Sequence, residues 1–270
     1  MDETLQMLIL GAVQGVAEWL PVSSEGLLTL VQLHVFGISF ETSLGTALWL
    51  HLGTLLAAVI YFRREVAHIV GQLPKWAVRH RDLSAHDRQL MDFLAIATVA
   101  TGLLGLPLLA VSFQADLVMR AATALIGALL VLTGVLQRLA RPFGTRRSHD
   151  AGVADAVLTG LMQGLAVLPG ISRSGFTVAA LLFRRFDETE ALRLSFLMSI
   201  PVIAGAQVLV ELGGFVDLDW PSALAGTAAS MLVGWGTIAG LIRVARTLPF
   251  WAVAVGLGGL SLIAALLMPQ

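Results

Sequence analysis

Arg173 stands between Ser172 and Ser174 in the run 169–175, Pro-Gly-Ile-Ser-Arg-Ser-Gly. A guanidinium offers a fork of donors that can pair two phosphate oxygens, and the flanking hydroxyls add more. Thr177 supplies another hydroxyl, and Gly170 removes a side chain where a second group must come close. The Pro-Gly pair turns the chain sharply into a following helix, whose first amides and positive dipole end favour an anion. By residue type this is a phosphate cradle. The structural alternative is serine and glycine easing helix packing while Arg173 snorkels to the surface.

A second group complements the first. Gln14 and Glu18 lie four residues apart on one helix face, with Pro21 ending or kinking that helix before Ser23, Ser24 and Glu25. Glu18 has three candidate roles: ion-pair partner of Arg173, holder of a divalent cation that bridges to ligand phosphates, and general base. Ser24 is a candidate nucleophile, although serine at a helix start is also a routine cap. Glu25 falls in a first helical turn, where a carboxylate suits the dipole. The expected catalytic set is thus Glu18, Ser24 and Arg173. Gln14, Ser23, Gly170, Ser172, Ser174 and Thr177 are expected to touch the ligand, with Glu25 accessory and Glu18 the metal ligand.

These groups belong to two copies of one motif. Residues 11–26 read GAVQGVAEWLPVSSEG and residues 160–175 read GLMQGLAVLPGISRSG. Both place Gly-x-x-Gln-Gly-x-Ala ahead of Leu-Pro, a serine three residues past the proline, and a closing glycine.

The rest of the chain must position them, and its composition fixes the solvent. Of 270 residues, 57% are hydrophobic and only 13% charged, against about 25% charged in ordinary soluble domains. With a mean hydropathy of +0.83 this is an integral membrane protein. A net charge of −1 argues against a nucleic-acid partner, and the absence of cysteine excludes disulfides, thiolate metal sites and a cysteine nucleophile. Asp2 and Glu3 replace the basic start of a signal peptide, so the first apolar segment is expected to remain.

Long apolar runs at 42–62, 90–112, 116–137, 188–212, 222–245 and 249–268 suffice for six spans, each needing roughly 20 residues. The shorter runs around the motifs do not, and pair into re-entrant hairpins at 5–36 and 153–183. The alternative is that each pair is one kinked span. Basic loops at 63–88 and 138–147 are separated by two spans and so share a face, which the positive-inside rule makes cytoplasmic. The first hairpin then enters from outside and the second from inside. We therefore expect an all-α membrane protein of six transmembrane helices and two re-entrant hairpins in an inverted-topology repeat. It is a single domain, 1–270, with halves 1–140 and 150–270 and both termini extracytoplasmic. In such repeats the binding site lies near the midplane, where the broken helices meet.

Gln14-x-x-x-Glu18 followed by Pro21-Val22-Ser23-Ser24, with the later Pro169-Gly170-x-Ser172-Arg173-Ser174-x-x-Thr177, resembles the undecaprenyl-diphosphate phosphatase family, also called bacitracin-resistance proteins. The Leu52-Gly53-Thr54-Leu55 run and the stretch from Glu190 through Ser195, Pro201 and Gly205 are similar too. The resemblance implies a cell-membrane enzyme, often dimeric, that removes the terminal phosphate of a polyprenyl diphosphate and so recycles a carrier lipid for envelope synthesis. It also implies an extracytoplasmic site aided by a divalent cation, Mg or Ca.

One position departs from that pattern. Where the family usually has a catalytic histidine three residues after the second serine, this chain has Leu27. His51 on the next span is the one accessory candidate for the shared cavity, its bland role being a hydrogen bond at a helix interface. A lipid-carrier flippase that binds polyprenyl phosphate without hydrolysis is accordingly the alternative function.

Overall fold

The computed structural model describes residues 2–78, 82–115, 117–140, 144–213, 219–247 and 249–268. Arg79, His80, Arg81 and Arg141 of the expected basic loops lie outside the described residues. Helices dominate: α1 (Glu3–Ala17), α2 (Ser24–Val31), α3 (Phe40–Tyr61), α4 (Arg63–Val78), α5 (Ala85–Gln114) and α6 (Met119–Leu139), then α7 (Val153–Leu165), α8 (Arg173–Phe183), α9 (Glu188–Gly213), α10 (Trp220–Thr247) and α11 (Phe250–Leu267). Among the described residues six helices, α3, α5, α6, α9, α10 and α11, are long and apolar enough to cross a membrane. The protein is a multi-pass membrane protein.

Segment 63–88, expected as a basic loop, contains helix α4. Its apolar residues Val66, Ile69, Val70, Leu73 and Trp76 recur at helical spacing and line a groove with α5 and α9. The polar residues between them keep the segment's mean hydropathy too low to read as a span, so only its periodicity announces it.

Each short motif pair occupies two half-length helices, α1–α2 and α7–α8. The first helix of each pair packs along the second span of the opposite half: α1 on α10 and α7 on α5. The repeated Gly-x-x-x-Gly makes both approaches close. A Cβ on Gly15 would meet Gly234 N at 2.7 Å, and one on Gly164 would meet Thr101 O at 3.0 Å. Small residues let helix backbones approach in this way where lipid supplies no hydrophobic drive between helices. Each half is thereby woven into the other.

At the end of the bundle that carries the basic loops, α7 starts on a charge cluster. Asp155 receives Arg146 Nη2 at 2.7 Å, Arg184 Nε at 2.5 Å and the Gly152 N–H at 2.9 Å. Burial pushes the Asp155 carboxyl up, but the Arg146 hydrogen bond, the Gly152 amide and Arg184 outweigh it and hold the group below the usual carboxylate range. The start of the second hairpin is thus anchored at its polar end while its other end turns inside the bundle.

Candidate active site

The turns of the two hairpins meet against α6. Thr133 Oγ1 donates to Gly170 O at 3.0 Å and accepts from Ser172 N at 3.2 Å, while Gln137 Nε2 donates to Pro21 O at 2.5 Å. Sequence reasoning missed both α6 residues. Their signal was a Thr and a Gln four apart, on one face of an otherwise apolar span.

Both hairpins restart their second helix in the same way. Ser23 caps α2 by accepting from Gly26 N, and Ser172 caps α8 by accepting from Gly175 N, each at 3.1 Å. The copies are therefore in register on their closing glycines and capping serines, not on their prolines. In that register Ser24 corresponds to Arg173 and Glu25 to Ser174, so equivalent first-turn positions carry different chemistry.

Cross-contacts fix one turn to the other. Gly170, with φ +107°, donates its N–H to Ser23 Oγ at 3.0 Å. A Cβ on Gly26 would lie 2.8 Å from Gly170 N. Gly26→Ala is expected to lower stability by about 1–3 kcal/mol, because backbone rather than a yielding side chain faces it. The change should be read as a lower unfolding midpoint in detergent, with a parallel loss of activity at the site.

Between the turns lies a small polar cavity, bordered by Glu18, Ser23, Ser24, Glu25, His51, Ser172, Arg173 and Ser174 with Val22, Ala166 and Ile171. The Glu18 carboxylate is its hub. Its Oε1 is bonded by Arg173 Nη2 from the opposite hairpin. Its Oε2 accepts from Ser24 Oγ at 2.9 Å and Gln14 Nε2 at 3.0 Å, and lies 3.3 Å from His51 Nε2. The four contacts come from α1, α2, α3 and α8; Gln14 lies one turn back on the helix that leads to Glu18, whereas tertiary structure brings Ser24, His51 and Arg173 to it.

Three buried polar atoms around this hub have no partner within the described residues: Arg173 Nη1 and Glu25 Oε1 at the cavity, and Gln14 Oε1 behind Glu18. A buried guanidinium nitrogen left open is costly unless something else accepts from it. Arg173 is the first residue of α8 and Ser24 the first of α2, so two helix N-termini also converge on the cavity. Open donor, hydroxyls and helix ends together favour an anion with several oxygens.

Not every expected ligand contact reaches the cavity. Gln14 stands behind Glu18 and orients it. Gly170 serves the turn, its N–H and carbonyl both taken by protein groups. Thr177 Oγ1 donates to Arg173 O at 2.8 Å and pairs with Ser195 Oγ at 2.6 Å, which ties α8 to α9. These three residues position the site and do not line it. Leu27 packs beside Val22, Phe250 and Ala254, away from the polar wall.

The sequence model described as Bacitracin resistance protein BacA matches residues 7–260. The chain belongs to the BacA family. Three similar proteins carry the name undecaprenyl-diphosphatase. That of Methanococcoides burtonii is 43% identical, covering 96% of this chain and 97% of its own. That of Haloarcula marismortui is 42% identical over 99% of each chain. A third, from Desulfosudis oleivorans, is 38% identical over 96% of this chain and 98% of its own. Similarity of this extent reaches both hairpins, so the BacA assignment covers every residue bordering the cavity.

Proposed function

We propose that this chain removes the terminal phosphate from a polyprenyl diphosphate of the undecaprenyl type, releasing inorganic phosphate and the monophosphate carrier lipid for reuse in envelope synthesis. One observation carries the reading: a serine hydroxyl, a carboxylate and an arginine from both hairpins are already bonded to one another at the wall of a polar cavity. Binding a polyprenyl phosphate without hydrolysis, as a flippase would, has no use for the Ser24 to Glu18 pair.

The roles follow from the geometry. Arg173 Nη1, with Ser172, Ser174 and the two helix N-termini, receives the diphosphate oxygens. Glu18 Oε2, within 2.9 Å of Ser24 Oγ, withdraws the hydroxyl proton as the oxygen attacks the terminal phosphorus. The Oγ–P bond forms, the bridging P–O bond breaks, and the polyprenyl monophosphate leaves with the electron pair. Water then displaces Ser24 from phosphorus and the hydroxyl is restored. Charge on the transferred group is met by a donor already fixed in place by Glu18, so little reorganisation accompanies the step.

A divalent cation fits this donor set at Glu25 rather than Glu18. Both Glu18 oxygens are occupied by protein groups, whereas Glu25 Oε1 is buried and unpartnered at the cavity wall. A carboxylate joined by substrate phosphate oxygens and water is a usual way to hold Mg, whereas Ca would need more oxygen ligands. When bound, the cation would neutralise diphosphate charge and orient the terminal group.

The basic face carrying Arg146, Arg184 and Arg193 is read as cytoplasmic, which places both chain ends and the mouth of the first hairpin outside. Cysteine labelling at the termini of intact cells tests that orientation, and crosslinking in membranes tests the homodimer that the family resemblance implies. The central experiment is phosphate release from a C55 polyprenyl diphosphate by the purified chain in detergent, with Mg or Ca present. Turnover that Glu18→Gln abolishes supports the reading, and no release under any cation overturns it.

A further inference from the structure

Among the described residues His51 is the only imidazole bordering the cavity, and its placement goes beyond helix packing. It comes from α3, outside both hairpins, and no repeat of the motif accounts for it. Its Nδ1 lies 2.7 Å from Ala47 O. A carbonyl can only accept, so Nδ1 carries a hydrogen. That leaves Nε2 facing Glu18 Oε2 at 3.3 Å. A nitrogen lone pair and a carboxylate oxygen at this distance repel unless a proton lies between them. Glu18 already accepts from Arg173, Gln14 and Ser24, an arrangement that suits an ionised carboxylate, so Nε2 carries a proton and the imidazolium pairs with Glu18 as a cation. The charged groups facing the ring are Glu18 from α1, Glu25 from α2 and Arg173 from α8.

We infer that His51 is a further catalytic residue of this site, the group that gives a proton to the departing polyprenyl phosphate and takes one back from water. The inference rests on the phosphatase reading above. As Ser24 Oγ bonds to the terminal phosphorus, its proton goes to Glu18 and the bridging P–O bond breaks. The leaving oxygen takes the Nε2 proton of His51. In the second half water attacks the phosphoserine phosphorus, and one water proton returns to Nε2. Ser24 Oγ departs from phosphorus and recovers its proton from Glu18. The sum is diphosphate plus water giving monophosphate plus phosphate, with His51, Glu18 and Ser24 each back in their starting forms. Leu27, packed among apolar side chains on α2, has no proton to offer, and α3 supplies the imidazole from another direction.

The test uses the full-length chain in detergent with a C55 polyprenyl diphosphate and Mg. His51→Gln keeps a hydrogen-bonding side chain, and is expected to lower kcat by about 10²-fold or more with KM changed less than about threefold. His51→Gly opens space at the ring, and added imidazole is expected to restore at least about tenfold of the lost rate. Both variants should unfold within a few degrees of the parent chain. Retention of kcat within threefold in His51→Gln overturns the inference while leaving the phosphatase reading intact. A folded His51→Gly that stays inactive with imidazole also overturns it. A parent chain that releases no phosphate overturns both readings together.

Discussion

Arg173→Ala is expected to lower kcat/KM for polyprenyl diphosphate by about 10³-fold or more, because two losses coincide. The donor fork that meets the diphosphate disappears, and the Glu18 carboxylate loses its one cationic partner from the opposite hairpin. Removing one side of a buried pair typically costs about 3–5 kcal/mol, so the variant should also unfold at lower temperature. Arg173→Lys separates the two effects. An ammonium keeps the charge beside Glu18 but cannot present two fixed donors, so stability should recover further than activity. Initial rates over a substrate series, with unfolding midpoints of the same preparations, check both expectations. Equal recovery of rate and midpoint in Arg173→Lys would mean that Arg173 acts only as a counter-ion.

Glu18→Gln should separate binding from chemistry. The amide has nearly the shape of the carboxylate and keeps an oxygen for Ser24 and Gln14, but it cannot take the Ser24 proton. A fall in kcat of about 10²–10⁴-fold is expected, the range ordinarily lost with a general base. Substrate affinity should hold or rise, since removing the carboxylate leaves Arg173 with more of its donors for the diphosphate. Equilibrium binding of the diphosphate lipid to Glu18→Gln, beside its turnover, reads both quantities. Loss of binding in step with loss of rate would return Glu18 to a purely structural ion pair. Combining Glu18→Gln with Arg173→Ala should cost much less than the sum of the two, because the residues act as one unit.

The weaving of the halves explains how such a polar site can be held inside a bundle of apolar helices. Polar backbone and side chains in lipid must be satisfied by protein or line a cavity. Here α6 bonds both turns, each capping serine satisfies a helix start, and Ser23 of one hairpin accepts from Gly170 of the other. The reacting groups are therefore carried on turns that are fixed from three sides. Such anchoring suits a site in which displacements of about 1 Å already reduce rate.

Residue order alone carried much of the architecture. Run length separates six helices that can cross a bilayer from four that cannot, because the apolar thickness of a membrane sets a length that composition can be measured against. The paired motifs likewise disclosed where chemistry was concentrated, since a glutamate, an arginine and adjacent serines in short segments of so apolar a membrane chain are expensive to keep without a use. Helix α4 escaped that reading because its apolar stripe is diluted by charges, and hydropathy averages over faces that a helix keeps apart.

Assembly of the site was a different matter. That Glu18 and Arg173 bond to each other depends on where two turns fall in space, 155 residues apart in the chain. The sorting of Ser24 and Glu25 into the cavity, and of Gln14, Gly170 and Thr177 into its supports, depended on helix rotation and on capping geometry. No spacing rule places His51 beside Glu18, because α3 owes its rotation to packing on α2, α9 and α10. Sequence determined that this protein has two broken hairpins carrying complementary charge. Tertiary packing alone decided which oxygen faces which donor, since hydrogen bonds are made across distances the chain does not encode locally.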